Sequence, residues 1–409
     1  MTHAPTPVAT PVATGSTGTI PVADWFDPHE AMHNPYPQFA RLRELGPVVY
    51  APAVGRTFIT THAAVSEAEQ RPEVFSSQSE TNLTMVRALG GRPMLRKDDP
   101  AHAAERSAIN PTLRPRAVTQ VWSPRFAENV ERWIDHLLEL GPEHADLNRD
   151  FAAPVASQNL IDMLGFPDSV SVEDMRRWST SYIAGIGNLL DDPAIWARSD
   201  ASQVEVNVVL DELIPRLERE PNSSITSHLL QVGLPEDAVR ANAHLTISGG
   251  MNEPQHMITN LVWALSTHPE QRATVLAGEA PWGDVFEEAA RWQSPIGMVP
   301  REVNVDTEFH GALLPAGTNV GLLLASANRD ATAFPDADRF DVRRTARGHL
   351  AFGSGVHMCA GRWAAKNAIA DHALPRLYER IPTLELAPDR TPTWDGWVFR
   401  GLTALPVTW

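Results

Sequence analysis

The sequence predicts a mainly α-helical fold with small β-sheets, and three observations predict it. Between residues 101 and 292 apolar side chains recur at helical spacing, with Gly-Pro, Phe-Pro and Glu-Pro pairs as loop punctuation. Residues 301–325 change that rhythm to Val303, Val305 and Phe309, then Leu-Pro-Ala-Gly and an aliphatic run, the pattern of short strands joined by turns. Beyond the N-terminal tail, no stretch rich in Pro, Gly and Ser cuts the chain in two.

Taken in chain order, residues 1–20 are rich in Pro, Thr and Ala, lack the basic start and apolar stretch of a secretory signal, and are expected to be disordered. Residues 34–50 (NPYPQFARLRELGPVVY) read as a helix that ends at Gly46-Pro47 and turns into a strand. The long helical region and the strand-and-turn segment follow. Residues 393–409 alternate aromatic and aliphatic side chains with Gly and Pro, again as strand and turn. No internal repeat is visible, so residues 21–409 are expected to form a single domain.

Composition narrows the partners. A formal net charge of −16 disfavours a nucleic-acid backbone or an anionic membrane, since both attract basic surfaces. No run reaches the roughly 20 apolar residues of a spanning helix; the best stretch, residues 320–325, is far shorter. The single cysteine, Cys359, excludes an intramolecular disulfide, and a cytoplasmic location without membrane attachment is expected.

Cys359 lies in Phe352-Gly353-Ser354-Gly355-Val356-His357-Met358-Cys359-Ala360-Gly361, ahead of a helix-compatible run. Glycines before the cysteine allow backbone conformations that turn amides toward the sulfur, and a following helix start adds the positive end of its dipole. Both features favour a thiolate. A lone cysteine without such a context reads as a small buried hydrophobe.

This segment matches FGxGxHxCxG, the haem-binding signature of cytochromes P450, at every fixed position, and the chain resembles that family from about residue 34 to residue 409. The resemblance implies the cytochrome P450 fold and a haem b cofactor. It makes Cys359 the iron ligand, within a loop whose Phe352, Gly353 and Gly361 belong to the cofactor site. A thiolate ligand pushes electron density toward oxygen and favours O–O cleavage, so the implied activity is that of a monooxygenase.

Other segments take on roles through the same resemblance. Glu288 and Arg291, three apart on one helical face, look like the ExxR pair that lies beneath the haem, with residues 334–341 completing its network. Taken without it, they read as a solvated surface pair. His102 and Arg106, four apart behind Pro100, match the positions that meet a haem propionate, and Arg301 and His357 match the remaining propionate partners.

Residues 247–256 (ISGGMNEPQH) fall where the family carries the long helix over the iron, with an acid followed by an alcohol. Here the pair is an amide and an acid, Asn252 and Glu253. Gly249 and Gly250 are expected to leave room over the porphyrin. Pro254 cannot donate to the Gly250 carbonyl, so a local opening is expected. Glu253 is the expected proton shuttle and Asn252 the residue that positions water or peroxide. With the alcohol missing, a peroxide-driven route is suggested.

The same segment and residues 394–401 (WDGWVFRG) are similar to the P450s that O-demethylate guaiacol-type methoxyphenols. That similarity makes Leu245, Gly249, Ile296 and Phe399 lining residues of an apolar substrate pocket. Leu89 and Ile186 stand where those enzymes carry aromatic residues, which implies a wider pocket suited to syringol or 4-alkylguaiacols. The expected partners are a small aromatic substrate, dioxygen or hydrogen peroxide, and a ferredoxin or reductase drawn to Arg343, Arg344, Arg347, Arg362 and Lys366. Rival readings are a P450 hydroxylating a terpene or fatty acid, and a haem-thiolate sensor without turnover.

Overall fold

The computed structural model describes residues 19–80, 83–188 and 191–409, so most of the expected disordered tail, residues 1–18, lies outside the described residues. The described chain is mainly helical with small sheets, as expected. Residues 34–50 form the helix Tyr36–Leu45, stopped at Gly46 in the left-handed half of backbone space (φ 137°), and the strand Val48–Ala51.

The largest sheet has five strands, in the order Val48–Ala51, Arg56–Ile59, Asn319–Leu322, Val299–Val303 and Phe75–Ser76. The first two strands are antiparallel neighbours with Val48 opposite Ile59. Arg56–Ile59 then runs parallel to Asn319–Leu322, placing Phe58 opposite Gly321. A parallel pair needs a crossover, and here most of the helices are strung between the two strands. The C-terminal residues form small antiparallel pairs, with Leu402 opposite Trp394 and Val407 opposite Leu386.

The helix Glu236–Thr267 contains 32 residues, about 48 Å at 1.5 Å per residue, and forms the axis of the helical part. It packs against Ala153–Leu164, Val172–Ile186 and Trp282–Trp292. Its C-terminal half, with Ile258, Leu261, Val262 and Leu265, enters one apolar core, and its middle, with Ile247 and Met251, enters another. Being buried on most of its circumference, it is a core helix. Among the described residues, no helix is long and apolar enough to cross a membrane.

Candidate active site

The cysteine loop joins a short 3-10 turn, Gly355–His357, to the helix Arg362–Lys366. Gly353 and Gly355 both adopt φ 63°, which side chains resist, and a Cβ on Gly355 would lie 2.2 Å from the Glu69 carbonyl oxygen. The loop thus sits hard against the end of the helix His62–Glu69. Its turn lets the Cys359 amide donate to the Phe352 carbonyl at 2.8 Å, and the Phe352 ring stacks on Phe286 at 6.0 Å.

The backbone amides of Gly361 and Arg362 donate to the Cys359 sulfur. Burial nevertheless pushes the thiol above its ordinary value, and those amides with the Arg106 guanidinium offset only part of it. The loop's amides thus pull toward the thiolate, while burial and the Glu253 charge oppose them. A metal cation bound at the sulfur would tip the balance to the anion. Although closely surrounded, Cys359 keeps accessible surface, which faces inward.

His102, Arg106, Arg301 and His357 come together on one side of that space. The His102 and His357 rings lie 4.2 Å apart, and His102 Nδ1 is 3.0 Å from an Asp99 carboxylate oxygen. Arg106 donates to the Met358 carbonyl at 2.5 Å, which ties the helix Ala101–Leu113 to the cysteine loop. Arg301 is buried on the strand Val299–Val303.

The structure adds Arg96, which sequence reasoning missed. It is buried, its Nε has no partner, and burial followed by Arg301 and other arginines pulls it down to about 9. His357 is pulled down to about 2, first by burial and then by Arg301 and His102, and its Nε2 also lacks a partner. The only signal in the sequence was a charged run, Arg96-Lys97-Asp98, which reads as exposed turn. A buried guanidinium with an idle N–H, beside a neutral imidazole with an idle ring nitrogen, calls for an anion that accepts from both. These residues therefore fit the propionates of haem b, as the sulfur fits its iron.

On the central helix, Gly249 is exposed within an otherwise buried element, and a Cβ there would meet only Glu253 Oε2, at 3.5 Å. Glu253 is pushed up to about 8, chiefly by burial, and Oε2 has no hydrogen-bond partner. Its charge is felt at Cys359, which places both groups around one interior space. Asn252 is buried, and its amide, without a well-formed hydrogen bond, lies close enough to Glu253 to pull its carboxyl down slightly. Two expectations change. Gly250 faces Leu160, whose Cδ1 would be 2.8 Å from an added Cβ, so it serves helix packing. The helix also runs through Pro254 unbroken, so the opening is limited to the one lost bond.

Ile296 and Phe399 are paired by an isolated antiparallel bridge, which brings the C-terminal segment beside the strand leading from the ExxR helix. Ile186, Leu245, Ile296 and Phe399 all keep accessible surface. Leu89 does not: it is fully buried, and its carbonyl accepts from His244 Nδ1 at 2.8 Å. The structure therefore withholds Leu89 from the lining where the sequence put it.

Glu288 and Arg291 are fully buried and form a two-pronged pair at 2.7 and 2.8 Å. Arg291 also donates to the carbonyls of Asn328, Ala337 and Arg339, and Glu288 accepts from the Asp341 amide and Arg344. Of the five cations expected to attract a partner, Arg343 pairs with Glu279, Arg344 with Glu288 and Lys366 with Glu287. Arg347 and Arg362 have no carboxylate partner among the described residues, and they edge a hollow of about 800 Å³ with Phe352, Met358 and Trp363. The basic surface is smaller than the sequence implied.

Comparison with known proteins agrees with this geometry. The family profile described as Cytochrome P450 matches residues 283–370, which include the ExxR pair and the cysteine loop. The vitamin D(3) 25-hydroxylase of Pseudonocardia autotrophica is 30% identical, covering 92% of this chain and 94% of its own. Cytochrome P450-SOY of Streptomyces griseus is 33% identical over 77% of this chain and 76% of its own. The structure of P450BioI with a hexadec-9Z-enoic acid-ligated acyl carrier protein superposes with a TM-score of 0.85 at 26% identity, covering 93% of this chain and all of that one. With relatives at this level along most of its length, and with the cysteine loop, a buried His–Arg cluster that fits the propionates and the buried ExxR network, the chain belongs to the cytochrome P450 family of haem b monooxygenases.

Proposed function

We propose that this enzyme O-demethylates a lignin-derived methoxyphenol, of the syringol, guaiacol or 4-alkylguaiacol type, to a catechol-type product and formaldehyde. What supports the reading is that Leu245 and Gly249, one helical turn apart, and Ile296 and Phe399, joined by a bridge, all keep accessible surface, with Gly249 beside Glu253; together they would make an apolar wall. Such a wall takes a flat ring by burial and leaves its orientation to few polar groups. Ile186, aliphatic where the similar demethylases carry an aromatic residue, keeps accessible surface and would leave room for a second methoxy group or an alkyl chain.

Cys359 would hold the iron, and Arg96, His102, Arg106, Arg301 and His357 the propionates; when bound, the haem supplies the oxidative chemistry that replaces a methoxy C–H by C–OH. A methoxy carbon so hydroxylated is a hemiacetal, which collapses to the phenol and formaldehyde without a protein nucleophile. Glu253 is protonated at neutral pH and stands beside Gly249 as a proton donor; above about pH 8 it becomes an acceptor. The amide of Asn252 holds water or peroxide by a hydrogen bond. In its ionised form Glu253 takes a proton from hydrogen peroxide, which supports a peroxide-driven route beside one fed by a ferredoxin or reductase at Arg347 and Arg362.

A second reading, hydroxylation of another apolar molecule, is favoured by the relatives, which include a vitamin D(3) hydroxylase and a protein bound to a fatty acyl carrier. One screen separates the two. Syringol, guaiacol and 4-alkylguaiacols are expected to shift the spin state of the haem-loaded enzyme and to yield formaldehyde and product in equal amounts. Spin shifts from terpenes or fatty acids, with no formaldehyde from any methoxyphenol, would establish the second reading instead.

A further inference from the structure

Glu69 ends the helix His62–Glu69 with its carboxylate turned inward, only 2% of the side chain being exposed. Oε1 lies 4.0 Å from Arg301 Nη2, the Ser354 amide donates to the carboxylate, and Oε2 has no partner. A Cβ on Gly353 would lie 3.1 Å from Oε1, so the acid is packed against the loop that carries Cys359. The carboxylate thus joins two parts of the site, the cysteine loop and an arginine of the propionate cradle.

A buried carboxylate with one idle oxygen and a single long ion pair is poorly compensated. Burial pushes Glu69 up to about 7, against the pull of Arg301 and the Ser354 amide. Arg301 faces a second carboxylate, Asp98, and beyond it stand Arg96, Arg56, His102 and His357. On its own helix, Glu67 points outward to Arg71 and His310. At the solvent edge Gln70 donates to the Ser354 hydroxyl at 2.6 Å.

We propose that Glu69 couples proton uptake to reduction of the haem: as the cofactor accepts one electron from its ferredoxin-type donor, the carboxylate accepts one proton from solvent. The added electron places a negative charge in the same low-dielectric interior, which favours the neutral acid. The charge then balances, and Arg301 is left to Asp98 and the propionate. Glu69 acts through Arg301 and the cysteine loop, as a tuning group for the potential, and the inference depends on haem binding and on no particular substrate.

The midpoint potential of the full-length, haem-loaded protein, titrated with dithionite from acid to alkaline pH, reads this directly. A sloping segment near neutral pH is expected, flat on either side, its height about 59 mV for each tenfold difference in proton affinity between the ferric and ferrous forms. In Glu69→Gln the slope is lost and the potential stays at the wild-type acid plateau. The ferrous-minus-ferric infrared difference spectrum of Glu253→Gln, with isotope-labelled glutamate, shows a carboxyl band gained on reduction; the other raised glutamate near the sulfur is then absent, and this arm stands even if Glu69→Gln does not hold haem. A slope that survives in Glu69→Gln, a slope lost in His102→Gln with Glu69 intact, or a difference spectrum without a labelled carboxyl band would each overturn the proposal.

Discussion

Glu253 and Glu69 are both buried glutamates pushed up mainly by burial, yet their surroundings separate them. Glu253 has only an amide neighbour and its own backbone to favour the ion and reaches about 8, whereas Arg301 and the Ser354 amide hold Glu69 to about 7. Because the Glu253 value is raised, the base form is scarce below pH 8 and grows about tenfold per unit as pH rises toward it. Peroxide-driven turnover is therefore expected to climb with pH and level off above about 8, while Glu253→Gln gives a low, flat profile. Rate against pH with peroxide as sole oxidant checks this, and a climb that persists in the variant removes Glu253 from the route. Glu253 was legible in the sequence because it sits in a recognisable segment of a long helix. Glu69 and Arg96 were not, because nothing in AEQRP or MLRKD distinguishes a buried charge from a solvated one.

At the scale of elements, the central helix shows two adjacent glycines with different tasks. The sequence read Gly249 and Gly250 alike, as room over the cofactor; in the structure only Gly249 faces the interior space, and Gly250 is where the helix Ala153–Leu164 approaches through Leu160. Alanine at either position improves helix propensity by about 1 kcal/mol. At Gly250 the 2.8 Å contact adds an overpacking cost of about 1–3 kcal/mol, so Gly250→Ala is expected to lower the thermal midpoint. At Gly249 the nearest atom is 3.5 Å away and is the end of the Glu253 side chain, so Gly249→Ala is expected to hold or raise the midpoint while weakening binding of the proposed methoxyphenol. Thermal unfolding together with optical substrate titration distinguishes the pair, and a lower midpoint for Gly249→Ala with a neutral Gly250→Ala would reverse the assignment.

For the whole molecule, the Glu288–Arg291 pair holds together segments far apart in sequence, with Arg291 reaching Asn328, Ala337 and Arg339. Removing one partner strands a buried charge, and Arg291→Ala is expected to cost about 3–5 kcal/mol. Denaturant unfolding with haem content followed in parallel checks this: a lower midpoint with cofactor loss is expected, and an unchanged midpoint would show the pair to be dispensable. What the sequence determined by itself was whatever is encoded locally: helical periodicity, the strand segments, and the glycine-flanked Cys359 loop with its neighbouring His357. The tertiary structure alone decided which strand pairs with which across most of the chain, that Leu89 is sealed off, that Lys366, Arg343 and Arg344 are paired with carboxylates, and that Arg96 and Glu69 are buried. Burial and proton affinity depend on neighbours through space, and those neighbours come from segments with no sequence relation to the residue they surround.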